Sequence, residues 1–486
     1  MKHHGLLCDF LTKDHGVLFG LKLLLIYQMT FWAMIMPRRA LHYLTKWLGS
    51  TGRKPMVIRG ARQVGKTWLV REFATQHQKQ LIELNFEKNP QYQTFFESND
   101  PKTTLLLLSA SLNTVIDIHK TVLFLDEIQA APVLLSKLRW FAEEMPELPV
   151  LAAGSLLEFV LDAHEFSMPV GRITYLHLGP LTFEEFLDAY GEKQLMTYLQ
   201  QFSWEQHIPA VLHEQLMSLF KEYLVIGGMP AAVYSWVSEK SLEQVNLIHH
   251  DLLASYRDDF AKYAGKLPLS RLDEMLIAIP AMLGEKMVFS RVNKEVPSAV
   301  LKSALNLLCQ ARIARKTLNT AGNGVPLAAE INEKFFKVIF LDVGLVSALL
   351  HIRLDNLYKI ADINFINSGG LAEQVVGQLL SSLEPYYMSP ALYYWVREKK
   401  NSSAEIDYLL QQGTNILPIE VKSGSTGSLK SLHLFMALKK LTHALRINAD
   451  VPSQVLVQTK THQEQIQYRL YSLPFYLTEQ IHRLLP

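Results

Sequence analysis

One stretch decides the fold of this chain: Gly60, Ala61, Arg62, Gln63, Val64, Gly65, Lys66 and Thr67, or GARQVGKT. It fits the pattern G-x-x-x-x-G-K-[ST], follows a strand-like run at 55–59 and opens a helical run at 68–76, which is the context that a phosphate-binding loop requires. The glycines let backbone N–H groups surround a phosphate, and the helix start adds the positive end of its dipole. Lys66 is expected to reach the β- and γ-phosphates, and the Thr67 hydroxyl to bind Mg²⁺. The sequence therefore predicts ATP and Mg²⁺ as cofactors.

A second segment, TVLFLDE at 121–127, supplies the carboxylates that such a site needs. Its apolar run predicts a buried strand that delivers Asp126 to the carboxyl edge of a parallel sheet, where ligands bind in open α/β folds. Asp126 is predicted to hold the Mg²⁺ shell, and Glu127 to orient or deprotonate the attacking water.

Two further polar residues are candidates for the same site. Ser155 follows the strand-like run at 149–153 and is placed to sense the γ-phosphate, although a serine after Gly154 is also a common helix N-cap. Arg172 precedes a strand-like run at 173–178 and is a candidate γ-phosphate finger, in cis or toward a neighbouring subunit of a homo-oligomer. An ordinary surface ion pair is the other interpretation of Arg172.

Composition sets the class of protein. The chain has 486 residues, of which 49% are apolar and 19% charged, so it is long and apolar enough for two to four folded domains. A net charge of +2 excludes a global field that would mark a nucleic-acid binder. Cys8 and Cys309 are the only cysteines, which indicates a reducing compartment, and the expected location is the cytoplasm.

The apolar segment at 16–36 admits three interpretations. Its length is just sufficient to span a bilayer, so it fits a membrane anchor. It also fits a buried helix, or a false start with translation beginning at Met36, after which an amphipathic helix pattern begins.

The alternation of strand-like and helical runs predicts an α/β fold whose first domain is a P-loop NTPase with a parallel sheet. The predicted divisions are an apolar extension at 1–35, the ATPase core at 36–178, a helical lid at 179–265, a winged-helix-like region at 266–350 and a C-terminal α/β module at 351–486.

Four stretches carry a resemblance to a known family: RKPMVIRGARQVGKT, TVLFLDEIQ, AAGS and VGRITYLHLGPLTFEEFL. From about residue 38 to 187 the chain resembles the AAA+-type, archaeal-ATPase-like domain of a prokaryotic family in which a C-terminal module of unassigned function follows. The family's loop often has Pro and Thr where this chain has Ala61 and Trp68; neither position binds a ligand in the mechanism above. The resemblance implies a helical lid after the core and favours a start at Met36.

The region at 266–350 has the helix and strand pattern of a winged helix, and its basic side chains predict a surface for duplex phosphates. Against one acid, Glu295, the segment from Lys286 to Lys316 has seven basic residues: Lys286, Arg291, Lys294, Lys302, Arg312, Arg315 and Lys316. Use of this region for protein packing is the alternative.

The C-terminal module holds a second candidate site: Glu373, Asp407, Glu420 and Lys422. Residues two apart in a strand share a face, so Glu420 and Lys422 point the same way, and Asp407 is expected on the adjacent strand. Asp407 and Glu420 could share a divalent metal, with Lys422 acting on the attacking water. The set resembles the D…E-x-K arrangement of restriction-endonuclease-like nucleases. A degenerate fold that only binds, or an ordinary ion pair on the strand, is the alternative.

Two functional hypotheses follow. In the first, an ATPase drives a winged helix and a nuclease-like module that act on nucleic acid. In the second, the ATPase is a switch for a protein partner and the C-terminal module is catalytically inactive.

Overall fold

The computed structural model describes residues 37–162, 169, 171–352, 369–399, 402–422, 429–461 and 464–486. The apolar segment at 16–36, with its three interpretations, lies outside the described residues. Within those ranges, no helix combines the length and the apolar character that crossing a membrane would need.

The N-terminal part is built on a parallel sheet with strand order β2-β3-β4-β1-β5, as predicted for a P-loop NTPase. Its strands are β1 Met56–Arg59, β2 Gln80–Asn85, β3 Thr121–Asp126, β4 Val150–Gly154 and β5 Thr174–His177. Its helices are α1 Arg39–Leu48, α2 Lys66–Gln76, α3 Pro101–Leu112, α4 Leu134–Glu144 and α5 Leu157–Asp162.

The central strands β1, β3 and β4 are buried on both faces of the sheet, which explains why they are nearly continuous apolar runs. Val57 packs in one apolar cluster with α3 and α4, whereas Ile58 packs in another that includes α1 and α2. Because all strands run the same way, their carboxyl ends lie along one edge, and this edge carries the phosphate-binding loop and Asp126.

Helices follow the parallel sheet. They are α6 Phe183–Ala189, α7 Lys193–Gln201, α8 Ala210–Ile226, α9 Pro230–Glu239 and α10 Leu242–Tyr263. The glycine-bearing turn predicted between two of them lies between α8 and α9.

The next region has helices α11 Leu269–Ala281, α12 Phe289–Val292 and α13 Ser298–Gln310, then an antiparallel hairpin of β6 Ala314–Thr320 and β7 Ile331–Phe340. The remaining elements are α14 Val343–Leu349, α15 Gly370–Leu380, β8 Leu392–Lys399, β9 Ser402–Gln412, β10 Asn415–Val421, α16 Lys430–Lys439, β11 His443–Asn448, β12 Ser453–Thr461, β13 Glu464–Pro474 and α17 Ile481–Leu484.

The hairpin β6–β7 is part of the C-terminal sheet. That mixed sheet has the order β12-β13-β11-β10-β9-β8-β6-β7, and β6 pairs with β8 in parallel through residues 317–319 and 392–394. The strands predicted to form the wing extend the sheet of the next module, and a winged helix in this region stays a prediction. The division predicted between 350 and 351 therefore crosses a shared sheet.

A buried carboxylate ties the lid to this second half. Asp342 Oδ2 accepts hydrogen bonds from Gly228 N at 2.7 Å and from Gln378 Nε2 at 3.1 Å. The preceding Gly227 has a φ of +71°, and a Cβ there would lie 2.1 Å from Asp342 Oδ1. Only glycine fits this approach, so the turn between α8 and α9 is fixed against the start of α14.

Candidate nucleotide site and C-terminal carboxylate cluster

The predicted phosphate-binding loop connects β1 to α2, and α2 begins at Lys66. Its backbone is left-handed at Gln63 and Gly65, with φ of 65° and 93°. At Gly60 a Cβ would lie 2.3 Å from the Leu178 carbonyl oxygen, so the loop passes too close to the end of β5 for any side chain. Glycine at both ends of the loop is thus a steric requirement of this fold.

Lys66 is buried at the centre of the loop. Its Nζ donates to the carbonyl oxygens of Gly60 at 3.0 Å and Ala61 at 2.8 Å. Burial lowers the pKa of Lys66 to about 8, against the opposing effect of the carboxylates of Glu127 and Asp126. Because its partners are neutral carbonyls, the ammonium of Lys66 is not neutralised by the protein. It can therefore form an ion pair with an anionic phosphate group.

Asp126 stands at the end of β3, as predicted, beside Thr67. The Thr67 hydroxyl donates to both Asp126 carboxylate oxygens at 3.3 Å, and Asn85 Nδ2 donates to Oδ2 at 3.2 Å. Burial first, and the neighbouring Glu127 second, raise the pKa of Asp126 to about 6. A hydroxyl and a carboxylate side by side are oxygen ligands of the kind that Mg²⁺ prefers, so these residues fit the predicted ion.

Glu127 follows with a left-handed backbone, φ 51°, that turns its side chain out of the strand direction. Its Oε2 accepts a hydrogen bond of 2.5 Å from Gln129 Nε2. Gln129 also reaches the end of β4, where a Cβ on Gly154 would lie 2.2 Å from its Oε1. Ser155, the predicted γ-phosphate sensor, is buried next to this point.

Gln129 therefore links the ends of the two strands that carry Glu127 and Ser155. Sequence reasoning missed it, although its position two residues after Glu127 is the signal that would have indicated it.

The Arg62 side chain is 38% exposed and lies against α10. A contact of Arg62 with bound nucleotide stays a prediction. The guanidinium forms an ion pair with Asp259 of α10, and Tyr256 Oη donates to the Arg62 carbonyl oxygen at 3.2 Å. Lys262 Nζ lies 2.9 Å from the same Asp259. The phosphate-binding loop is thus held directly by α10, the helix that precedes the region at 266–350.

Arg38 holds the loop from the other side. Its guanidinium donates to the carbonyl oxygens of Val64 at 3.2 Å and of Gly179 at 2.7 Å. The first residues before α1 therefore fix the spacing between the loop and the end of β5.

The prediction of Arg172 as a finger in cis is wrong. Arg172 precedes β5, and β5 runs parallel to β1, so it lies at the edge opposite the loop that follows Arg59. Its Nε lies 2.8 Å from Glu143 Oε1, and the side chain is 49% exposed. Arg172 thus forms a surface ion pair, the other interpretation given above. A role of Arg172 toward a neighbouring subunit stays a prediction.

The basic patch predicted from Lys286 to Lys316 is wrong in part. Arg312 is turned inward by a left-handed backbone, φ 60°, and pairs with Glu158 of α5. Arg315 is half-buried, and its Nη1 is inaccessible to solvent. Lys316 donates to Asn306 at 2.6 Å. Exposed basic side chains of the segment are Arg291, Lys294 and Lys302.

The structure brings the C-terminal candidates together around a lysine that sequence reasoning missed. Lys337 of β7 is 4% exposed, and its Nζ lies 2.8 Å from Glu373 Oε2 and 3.7 Å from Asp407 Oδ1. It also pairs directly with Glu405. This cation occupies the centre of the predicted carboxylate group.

The other two members of the group form a pair beside it, with Lys422 Nζ 2.7 Å from Glu420 Oε1. Glu420 Oε2 is buried without a hydrogen-bond partner, whereas Asp407 Oδ2 accepts from Val421 N at 2.8 Å. Burial raises the pKa of Glu373 to about 8 and that of Glu420 to about 7, with the charge of Asp407 adding to both.

In this cluster burial thus disfavours the charged form of the carboxylates, and two lysines contact them. In the parts of the chain that the structure describes, no group of three or more His, Cys, Asp or Glu side chains is arranged to hold a metal ion. A metal shared by Asp407 and Glu420 stays a prediction.

Three family models match the chain. Residues 52–187 match a model described as AAA domain, and residues 217–356 and 368–477 match two domains of unknown function, DUF8612 and DUF4143. No curated protein matches the sequence.

Solved structures with a similar arrangement include a Walker-type ATPase of Pyrococcus abyssi, 14% identical, which matches over 65% of this chain and 96% of its own length with a TM-score of 0.41. ORC2 of Aeropyrum pernix in its ADPNP–ADP complexes is 14% identical, over 68% of this chain and 94% of its own, with a TM-score of 0.32. ORC1 of the same organism in complex with DNA is 14% identical. It matches over 66% of this chain and 92% of its own length, with a TM-score of 0.26.

The loop, the strand order and the carboxylate at the end of β3 define a P-loop NTPase domain of the AAA class. Residues 52–187 match the model described as AAA domain, which confirms the resemblance drawn from the sequence motifs, and the segments after it match domains of unknown function, as that resemblance implied.

Proposed function

We propose that this protein is a Mg²⁺-dependent ATPase whose nucleotide state is transmitted to its C-terminal half. One observation carries the proposal: Thr67 and Asp126 adjoin at the carboxyl edge of the sheet, next to a buried Lys66 that has neutral carbonyl partners. In this arrangement Thr67 and Asp126 would hold a Mg²⁺ ion, which would supply positive charge to the phosphates, and Glu127 would orient the attacking water.

The first test separates binding from hydrolysis. Lys66→Ala removes the countercharge of the phosphates and should abolish ATP binding, whereas Glu127→Gln should retain binding and lose turnover by roughly 100-fold or more. Lys120→Ala, at an exposed lysine of the same domain, is the control and should change neither. Fluorescent-nucleotide titration and phosphate release measure the two effects. Wild-type turnover in Glu127→Gln would show that its proposed role is wrong.

Two contacts of the helical region at 183–263 would transmit the nucleotide state from the phosphate-binding loop to the C-terminal half. Arg62 of the loop is paired with Asp259 of α10, and the turn between α8 and α9 is held by Asp342 at the start of α14. A γ-phosphate that displaces the loop would move α10, and with it the helices against which the C-terminal sheet packs.

For the target, we propose nucleic acid bound through the exposed basic side chains of the middle region. Reversal of Arg291, Lys294 and Lys302 to Glu should weaken retention of duplex DNA and flatten its salt dependence. Reversal of Lys46, Lys102 and Lys120 in the ATPase domain makes the same change of charge elsewhere and should have little effect. If wild-type protein does not bind duplex DNA even at low salt, the target is not duplex DNA.

The second candidate function is a switch for a protein partner with a catalytically inactive C-terminal module. The observation that favours it is Lys337, whose ammonium contacts Glu373 and Glu405 where a nuclease would hold a metal ion. Plasmid nicking by wild-type protein with Mg²⁺ or Mn²⁺, lost in Lys422→Ala, would decide for the nuclease; intact plasmid would decide for the switch.

A further inference from the structure

A cavity of about 450 Å³ lies between the ATPase domain and the C-terminal half. Its walls come from residues 177–182 after β5, from the end of α13 and the start of β6, and from the segment at 381–390 after α15. Pockets for small molecules usually enclose about 300–1,000 Å³, so this space has the size of a metabolite site. It is distinct from the predicted nucleotide and metal residues, of which only Ala61 contributes to its wall.

The cavity wall is rich in positive charge. Its charged side chains are five basic and three acidic: Arg38, Arg59, Arg312, Arg315 and Lys316 against Glu158, Glu185 and Glu384. One carboxylate serves two of the arginines, since Glu158 Oε1 lies 2.9 Å from Arg59 Nε and 2.7 Å from Arg312 Nη2. Arg38 Nε lies 3.5 Å from Glu185, outside normal hydrogen-bond length.

Arg315 differs from these arginines because its Nη1 is buried and has no hydrogen-bond partner. Burial and the charge of Arg312 lower its pKa to about 10, so it stays protonated at neutral pH. A buried guanidinium nitrogen without a partner is costly, and such groups are retained where a ligand or ion satisfies them.

His177 contributes a second unsatisfied group to the same wall. It is 9% exposed, and its Nδ1 is buried without a partner. Burial, and then the charges of Arg312, Arg59 and Arg315, lower its pKa to about 3. The imidazole is therefore neutral and offers a hydrogen-bonding nitrogen beside the three arginines.

We propose that this cavity binds a phosphorylated small molecule, whose phosphate is held by Arg315 and His177 with Arg312 beside them. The planar guanidinium matches the geometry of phosphate oxygens, and a dianion would balance the excess of two positive charges. The remaining lining, which includes Tyr386, Met388 and Pro390, supplies apolar surface for the organic part of the ligand.

A ligand in the cavity would change the electrostatic field at the nucleotide site. Arg312 is close enough to Lys66 to contribute to the lowering of its pKa, and Arg59 directly precedes the phosphate-binding loop. A ligand that draws Arg312 away from Glu158 therefore alters the field at the loop, and by linkage the bound nucleotide alters the affinity of the cavity by the same factor.

The test uses the full chain with Lys66→Ala and Thr67→Ala, so that binding at the phosphate-binding loop does not contribute. Pyrophosphate, glucose 6-phosphate and AMP are the probes in isothermal titration. Pyrophosphate binding is expected, and Arg315→Gln should weaken it roughly 10- to 100-fold, which corresponds to the loss of one charge-assisted hydrogen bond. Tighter binding of AMP than of glucose 6-phosphate would indicate a nucleotide as the source of the phosphate, and the reverse order would indicate a sugar phosphate.

Arg139→Gln is the matched control, because Arg139 is an exposed arginine that lies outside the cavity. It should leave pyrophosphate binding unchanged. Equal weakening in Arg139→Gln and Arg315→Gln, or absence of binding of any probe at millimolar concentration, would overturn the proposal. Because the loop is disabled in this background, the outcome is independent of whether the protein hydrolyses ATP.

Thermal melting of Arg315→Met distinguishes a binding role from a structural one. Removal of a half-buried guanidinium whose Nη1 has no hydrogen-bond partner should not lower the Tm of the ligand-free chain, but it should remove the rise in Tm that pyrophosphate causes. A lower Tm together with a retained pyrophosphate shift would show that Arg315 serves only the fold, and the proposal would be wrong.

Discussion

Two lysine–carboxylate sites lie on the sheets of this chain, and they differ in how their charges are balanced. In the AAA domain, Lys66 is bonded to backbone carbonyls and Asp126 to the neutral side chains of Thr67 and Asn85. In the C-terminal half, Lys337 contacts Glu373 and Glu405 directly.

The difference shows which site is prepared for an external ion. Neutral partners satisfy the hydrogen bonds of Lys66 and Asp126 but leave their charges available to a phosphate and a metal. Around Lys337 the protein supplies its own cation. A metal ion would have to displace a buried ammonium, and separating that ammonium from two carboxylates costs free energy. Similar residue types thus give one site that is open to charged ligands and one that is largely neutralised internally.

The largest expected effect on ATP turnover comes from the same substitution made in both sites. Asp126→Asn should lower Mg²⁺-dependent ATP turnover by roughly 100-fold, or about 2.7 kcal/mol of barrier, because it removes a proposed metal ligand. Asp407→Asn should leave turnover within about twofold, since its site does not take part in the chemistry. Phosphate release at saturating ATP measures both. Equal losses in the two variants would mean that the sites are not separate in function.

Removal of the internal cation should open the second site. Lys337→Met leaves Glu373 and Asp407 without their countercharge and should destabilise the fold by about 3–5 kcal/mol, as loss of one partner of a buried pair does. Lys422→Met, at a lysine that is 30% exposed, is the control and should cost less. Urea denaturation measures both effects.

The same variant tests the comparison with metal. In the Lys66→Ala, Thr67→Ala background, Mn²⁺ should raise the Tm of Lys337→Met, because it replaces the missing cation, and should leave the parent chain unchanged. A Mn²⁺-dependent rise in the parent chain that Asp407→Asn removes would show that the second site binds metal beside Lys337.

The smallest expected effect is at the edge of the sheet away from both sites. Arg172→Ala breaks an exposed ion pair with Glu143, which water screens, and should leave turnover within about twofold. A marked loss of turnover without loss of nucleotide affinity, restored in part by mixing with Lys66→Ala protein, would instead establish a finger that acts on a neighbouring subunit.

The AAA site was predictable from the sequence because its parts are local. A loop between a strand and a helix, and carboxylates directly after a buried strand, fix their own geometry once the strands are parallel. The positions of Asp407, Glu420 and Lys422 were also predictable as neighbours on adjacent strands, since alternation along a strand sets the face.

The missed features depend on contacts between distant segments. Lys337 precedes Glu373 by 36 residues, and its only signal is a single lysine in the apolar run at 335–340. The number of basic residues from Lys286 to Lys316 did not reveal that Arg312 follows the end of α13 in a left-handed turn that directs it inward. Nor did the loop motif indicate that Asp259, almost 200 residues later, would take the side chain of Arg62.

The pairing of β6 with β8 limits how this protein can be divided or recombined. A chain that begins at residue 351 would present the β8 edge that residues 317–319 now cover, and an unpaired edge of this kind recruits other strands and promotes aggregation. The unit that gene fusion could transfer intact thus begins before α11 and includes the hairpin. Recombination between two related genes at residue 350 would instead join strands from two different proteins in one hydrogen-bonded sheet. We therefore expect selection against recombination at this position.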